Sequence, residues 1–274
     1  MTLKMTDHIR FVGAGKMVSA IVHSLLRSGA FSADQISCCS AKDGTSEKLS
    51  QATGISRFDS VEEMLANPTT ILVLGCKPQQ LGEMPTSVSD STSGCLILSI
   101  MAGIPIARLK NVFPHSRNVV RSMPNTPGQI GYGVTGYLFD QSPAEEDRKM
   151  IESILNALGQ SHELKEEEDI DRVTAISGSG PAYLFEFTSA LEEAGRAIGL
   201  PGKLARELAI GTMAGSARLM ESSELDPKDL RDQVTSPNGT TQAALESFSE
   251  DDLRSIVRHA VEAARTRSIE LSHE

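Results

Sequence analysis

The chain reads as an α/β protein, with an N-terminal doubly wound parallel sheet and an all-helical C-terminal region. Three observations predict this. Short apolar runs of strand length alternate with helical patterns through the first half. A glycine turn, Gly13, Ala14 and Gly15, joins the first apolar run to the first helical pattern. From about residue 143 helical patterns dominate, and no strand-like run is read beyond that point.

The elements follow in order. Residues 9–13 read as a strand and 17–28 as a helix closed by Gly29. Residues 35–40 form a second strand, and 46–53 a helix closed by Gly54. The runs TILVLG (70–75) and CLILSI (95–100) are apolar throughout, as buried parallel strands are. A short helix at 106–112 and a strand at 118–123 follow. The right-handed crossover rule folds these units into a doubly wound sheet. In the second half, helices are expected at 143–158, 181–198, 201–220, 227–234, 240–248 and 251–271. Pro181, Pro201 and Pro227 each suit a first helical position. The charged run KEEEDID (165–171) reads as a solvated linker or first helical turn. The composition shift there sets the expected boundary: a dinucleotide-binding domain at 1–165 and a helical domain at 166–274. Ala and Gly recur in the later helices, and a glycine inside a helix costs about 1 kcal/mol against Ala. That cost suggests close helix packing, here read as packing on a second copy of the chain.

Composition narrows the function. The chain has 274 residues and a net charge of −10, with no Lys/Arg stripe and no Trp. Nucleic acid is disfavoured as a partner. The segment MTLKMTDHIR lacks an apolar signal region, and no run approaches a membrane span, so a cytoplasmic protein is expected. Cys38, Cys39, Cys76 and Cys95 show no CxxC spacing and the six histidines are scattered, so no metal site is read. Buried, reduced thiols are the plain reading of the cysteines.

The glycine turn has the context a phosphate-binding loop requires, a strand before it and a helix after. Gly13 permits the tight turn and Gly15 the close approach of a pyrophosphate. The third fingerprint position is Val18, which predicts a wider strand–helix spacing. A free ribose 2′-hydroxyl usually meets Asp or Glu at the end of the second strand, and none stands there before Asp43. Ser40 and Lys42 instead suit a 2′-phosphate, so NADPH is expected, with NADH possible. Lys77 and Pro78 follow the third long strand, Met101, Ala102 and Gly103 the fourth, and Asn125 the fifth. All lie at the carboxyl edge of a parallel sheet, where ligands bind.

Seven blocks now fall in line: FVGAGKM (11–17), VLGCKPQ (73–79), LSIMAGIP (98–105), VVRSMPNTP (119–127), AISGSGPAY (175–183), EAGRAIGLP (193–201) and DQVTSPNGTT (232–241). With these the chain resembles the pyrroline-5-carboxylate reductase family along essentially its whole length. The resemblance implies a Rossmann-type N-terminal domain and a helical domain that interlocks with a second subunit as a homodimer, some members assembling further. It implies NAD(P)H-dependent reduction of 1-pyrroline-5-carboxylate to L-proline. By the same resemblance Gly13, Ala14, Gly15, Lys16 and Met17 hold the pyrophosphate and Ser40 the adenosine ribose end. Lys77 and Met101–Ala102–Gly103 line the nicotinamide pocket, with Asn125 near the ring. Ser236, Gly239, Thr240 and Thr241 grip the substrate carboxylate and ring nitrogen. Thr241 is the candidate donor to that nitrogen; its plain alternative is a helix cap. Ser177 either contacts substrate, or the adjacent Gly178 and Gly180 serve only close helix packing.

Lys16 and Val18 depart from the family pattern, which bears on the cofactor rather than the reaction. Three other readings compete: a reductase of a related cyclic imine, a nonenzymatic dinucleotide-binding regulator, and an S-adenosylmethionine-dependent transferase. The intact TSPNGTT loop argues against the second. Ser40, Lys42 and the helical second domain argue against the third.

Overall fold

A computed structural model of the chain describes residues 7–273. Residues 1–6, which begin the segment expected to lack a signal region, lie outside the described residues. Cα packing divides the chain into two compact units, one reaching to Ser179 and including the chain from Ala264 onward, the other spanning Gly180–Ala263.

The first unit is built on an eight-stranded sheet. Its strands are β1 (Ile9–Val12), β2 (Ile36–Cys39), β3 (Ser56–Arg57), β4 (Ile71–Leu74), β5 (Leu96–Ser99), β6 (Asn118–Met123), β7 (Gly133–Phe139) and β8 (Gly159–Glu163), in the order β3-β2-β1-β4-β5-β6-β7-β8. Every pairing is parallel except β7 against β6. The intervening helices are α1 (Lys16–Ser28), α2 (Thr45–Thr53), α3 (Val61–Leu65), α4 (Pro78–Leu81), α5 (Ser87–Ser91), α6 (Ile106–Val112), α7 (Glu145–Asn156) and α8 (Glu168–Val173).

All residues of β1, β2, β4 and β5 are buried, which is why these runs lack a polar alternation. Successive side chains point to opposite faces. Ile9, Phe11, Ile71 and Val73 pack with Val18, Ile21 and Leu25 of α1 and with Ile151 and Ile154 of α7. Val12, Leu72 and Leu74 pack on the other face with Met64, Leu81, Leu109 and Ile170.

Three strands escape the sequence reading: β7, β8 and the two-residue β3. β7 carries Gly133 and Gly136 within a short run, and β8 is GQSHE, with polar side chains on a partly exposed edge. The expectation of no strand beyond residue 143 therefore fails at β8. Its register depends on Gly159, which adopts φ +140° and where a Cβ would lie 2.2 Å from the Gly133 carbonyl oxygen. α7 links β7 to β8 as one more crossover.

The KEEEDID run is no free linker. It supplies the first turn of α8, where Ile170 and Asp171 are buried. Glu167 Oε1 accepts bonds from the buried Arg121 guanidinium and from the Ile106 N–H, both at 2.7 Å. Asp171 Oδ1 accepts from Ser268 Oγ at 2.6 Å. These contacts tie residues 166–179 and the end of the chain to the sheet, a different division from the expected boundary at 165/166.

The second unit is helical: α9 (Gly180–Ala197), α10 (Gly202–Glu221), α11 (Pro227–Gln233), α12 (Thr240–Glu250) and the first part of α13 (Leu253–His273). α9 and α10 meet closely at Gly195, where a Cβ would lie 3.2 Å from that of Ala205. Gly211 and Gly215 face open space instead.

Candidate active site

Strand order reverses between β1 and β4, so a crevice opens outside their carboxyl ends. A cavity of about 490 Å³ lies there, walled by the turns after β1, β2 and β4. Gly13, Ala14, Gly15, Ser40 and Lys77 all line it.

The turn after β1 is shaped for close approach. Gly13 has φ +100°, and a Cβ on it would lie 2.5 Å from the Gly75 carbonyl oxygen. Its N–H donates to the Cys39 carbonyl at 2.8 Å, and the Gly75 N–H to the Val12 carbonyl at 2.8 Å. Gly15 precedes α1 as its N-cap, with no side chain capping the helix and nothing within 4 Å of where a Cβ would stand. The first-turn N–H groups of a 13-residue helix therefore meet an open, glycine-walled cradle. Such a cradle binds phosphate through unpaired donors and the helix dipole. The residues fit the pyrophosphate of a dinucleotide.

Val18, expected to widen the strand–helix spacing, packs against a glycine. Gly75 absorbs it: a Cβ at Gly75 would lie 2.4 Å from Val18 Cγ2. The missing small residue on the helix is replaced by one on the facing strand end.

The other expected cofactor residues do not line this cavity. Lys16 is exposed and Met17 packs partly on the core. Lys42 is exposed and Pro78 opens α4; neither lines the cavity. Met101 is buried, its Sδ accepting from Cys76 Sγ at 3.7 Å, and Cys76 lines the cavity. Ala102 is exposed, and Gly103 rests on Leu271, 3.1 Å from where its Cβ would be. Asn125 is buried with both ends of its amide engaged. Nδ2 donates to the Ser177 carbonyl at 3.0 Å, and Oδ1 accepts from the Val134 N–H at 2.9 Å.

Ser177 sits in a π-helical turn, Thr174–Gly178, closed by a bond from the Ser179 N–H to the Thr174 carbonyl at 2.8 Å. Its hydroxyl donates to the Val173 carbonyl at 3.2 Å. Gly178 packs against Met123, 2.8 Å from a would-be Cβ, while Gly180 has open space.

The sequence reading missed several wall residues, among them Asp43, Thr45, Asp59 and Gln80. Asp43 carried a signal: it is a carboxylate four residues beyond β2. The others come from turns whose folding back has no local sequence mark.

In the helical unit, Ser236, Gly239, Thr240 and Thr241 share the turn into α12. Asn238 has φ +58°, and its N–H donates to Gln242 Oε1 at 2.8 Å. Gly239 is the N-cap, and its N–H donates to the Ser236 carbonyl at 3.0 Å. Thr240 and Thr241 are therefore the first two helical residues, not caps. Among the described residues neither hydroxyl is engaged in a hydrogen bond.

The thiols of β2 and of the turn after β4 are held neutral. Burial pushes Cys38 and Cys76 up to about 11 and Cys39 to about 12. Among the described residues no group of three or more His, Cys, Asp or Glu is arranged for a metal ion, and no helix is long and apolar enough to cross a membrane.

The family model for pyrroline-5-carboxylate reductase dimerisation matches residues 167–271. That for NADP oxidoreductase, coenzyme F420-dependent, matches 8–103. A pyrroline-5-carboxylate reductase of Pseudomonas aeruginosa is 36% identical over 98% of both chains. Pyrroline-5-carboxylate reductase 2 of Bacillus subtilis is 31% identical over 97% of this chain and 95% of its own. Among solved structures, a pyrroline-5-carboxylate reductase from Coxiella burnetii superposes with TM-score 0.90 at 30% identity, covering 97% of this chain and 99% of the other. The Plasmodium falciparum pyrroline carboxylate reductase with NADP bound does so with TM-score 0.83 at 30% identity, covering 97% and 98%. With a glycine cradle at the switch point and likeness over nearly its full length, the chain belongs to the pyrroline-5-carboxylate reductase family.

Proposed function

We propose that this chain reduces the cyclic imine of 1-pyrroline-5-carboxylate to L-proline with NAD(P)H, the last step of proline biosynthesis, in the cytoplasm. The observation that carries the activity is the 36% identity to a pyrroline-5-carboxylate reductase across 98% of both chains. When bound, the reduced nicotinamide supplies the hydride that adds to the C=N carbon.

The chain's own residues do the rest. The α1 N-terminus and the backbone of Ala14 and Gly15 hold the pyrophosphate, Gly13 shapes the turn for close approach because its N–H already serves Cys39, and Lys77 adds the cation of that wall. The substrate is an anion with a polarised C=N bond. The first N–H groups of α12 lack intrahelical partners and suit its carboxylate. Ser236 and Thr240 add hydroxyls there. Gly239 contributes shape, since its N–H already serves Ser236. The Thr241 hydroxyl, free of other partners, donates to the ring nitrogen. That bond favours the nitrogen lone pair that gains a proton as the C=N bond is reduced. Asn125 acts by fixing the Ser177 turn to β7 rather than by touching the ring.

The chain acts as a homodimer through its helical unit. Support comes from the matched dimerisation family and from apolar side chains left exposed on α9 and α10, including Phe185 and Ile210.

The test is the loss of reduced-nicotinamide absorbance on adding fresh 1-pyrroline-5-carboxylate, with the six-membered imine as comparison. Turnover of the five-membered imine with proline as product is expected. Turnover of the larger imine alone would reassign the substrate.

A further inference from the structure

We infer that Asp43 selects between the two nicotinamide dinucleotides, receiving the adenosine ribose hydroxyls of NADH and turning away the 2′-phosphate of NADPH. The inference rests on the proposed dinucleotide site and concerns its adenosine end.

Counting residues along the chain puts Ser40, not an acid, just past β2. The backbone changes that. The Asp43 N–H donates to the Ala41 carbonyl at 2.7 Å, and Gly44 follows at φ +74°. This tight turn folds Asp43 back into the cavity wall, with Oδ1 within 3.3 Å of Ser40 Oγ. A carboxylate thus stands beside the strand-end position where dinucleotide folds place the group that reads the ribose.

The turn is organised around that carboxylate. Two donors converge on Oδ1, the Thr45 hydroxyl at 2.6 Å and the Thr45 N–H at 3.0 Å; the Ser40 hydroxyl lies 3.3 Å from it and has the Ala41 carbonyl closer, at 3.0 Å. These bonds also hold the carboxyl below its usual range, so it is ionised at neutral pH. The Thr45 donors, which a 2′-phosphate at this turn could use, are thereby spent on an internal anion. Oδ2 takes neither Thr45 donor and is left to accept from a ribose hydroxyl.

The surrounding charge points the same way. Asp59 lines the same wall, and the cation beside it, Arg57, is paired to Glu47 at 2.7 Å and to Asp59 at 2.6 Å. Lys42 is exposed and lies outside the wall. A doubly charged phosphate at this turn would meet carboxylates whose neighbouring cation is already paired. The Asp43 turn therefore favours a free 2′-hydroxyl where Ser40 and Lys42 suit a phosphate, with both dinucleotides still accepted.

The test is direct titration of the apo-protein with NADH and with NADPH, read by nicotinamide fluorescence and by calorimetry, with no substrate present. The variants are Asp43→Ser, Asp43→Asn and Lys42→Ala. Wild type should bind NADH more tightly. Asp43→Ser should shift the affinity ratio toward NADPH by about 10- to 100-fold, the size of a charge-assisted hydrogen bond lost and a repulsion removed. Asp43→Asn, which keeps the side-chain shape, should shift it in the same direction. A ratio unchanged by either Asp43 variant overturns the inference while leaving the site intact. So does a loss of NADPH affinity in Lys42→Ala alone, which would return the phosphate to Lys42. Failure of wild type to bind either dinucleotide would sink the site itself.

Discussion

At Gly13 two constraints coincide: a left-handed φ of +100° and a neighbouring carbonyl 2.5 Å from any Cβ. Gly13→Ala should therefore destabilise the fold by about 1–3 kcal/mol and abolish measurable dinucleotide binding, read by denaturant titration and fluorescence. Thr241 makes a different prediction, since its hydroxyl has no structural bond to lose. Thr241→Ala should lower kcat by about 100-fold, within the range of general acid catalysis, with dinucleotide affinity unchanged and Thr241→Ser restoring most of the rate. Full activity in Thr241→Ala would remove its assigned role. The buried thiols add a pH prediction. Their folded pKa values, about 11 to 12, lie above the ordinary thiol value of 9.0. The unfolded chain therefore loses these protons first, so stability is intact below about pH 9 and falls as pH rises toward 12. Denaturation midpoints across that window should fall, and Cys39→Ala should flatten the decline. At this scale the sequence exposed glycines and hydroxyls well. It hid compensation: Val18 looks like a defect until Gly75 is seen beneath it.

Among the elements, the buried strands were legible because burial on both faces leaves an apolar run that nothing else explains. β8 was illegible because GQSHE gains its strand from backbone pairing to β7, not from its side chains. α8 was half legible: its charges suggested a solvated first turn, while Glu167 and Asp171 face inward to Arg121 and Ser268. That network gives a prediction. Arg121 is buried, and its Nη1 bonds Glu167 at 2.7 Å while Asp171 lies 3.9 Å from Nη2. Glu167→Ala leaves a buried guanidinium short of its nearest anion and the Ile106 N–H without its acceptor. It should cost about 3 kcal/mol in chemical denaturation, more than a surface ion pair would. A loss under about 1 kcal/mol would show that Asp171 alone neutralises the arginine.

For the whole molecule, the two halves of the chain were legible for opposite reasons. The sheet half announces itself by what it hides, and the helical half by what it leaves uncovered. Phe185 on α9 is 67% exposed and Ile210 on α10 is 47% exposed, with Leu184 and Leu208 beside them in sequence also open. Phe185, Ile210, Met213 and Ala214 line one groove on this unit. A monomer seldom exposes so much contiguous apolar surface without a partner. The small residues of α10 fit this reading, because among the described residues nothing lies within 4 Å of where a Cβ on Gly211 or Gly215 would stand to justify their helix cost. In a homodimer formed through this face, Phe185→Glu with Ile210→Glu buries two charges in an apolar contact. The variant should run at half the wild-type mass in light scattering, and wild-type Tm should fall on dilution as mass action requires. A double variant that keeps the wild-type mass would place the partner surface elsewhere on the helical unit.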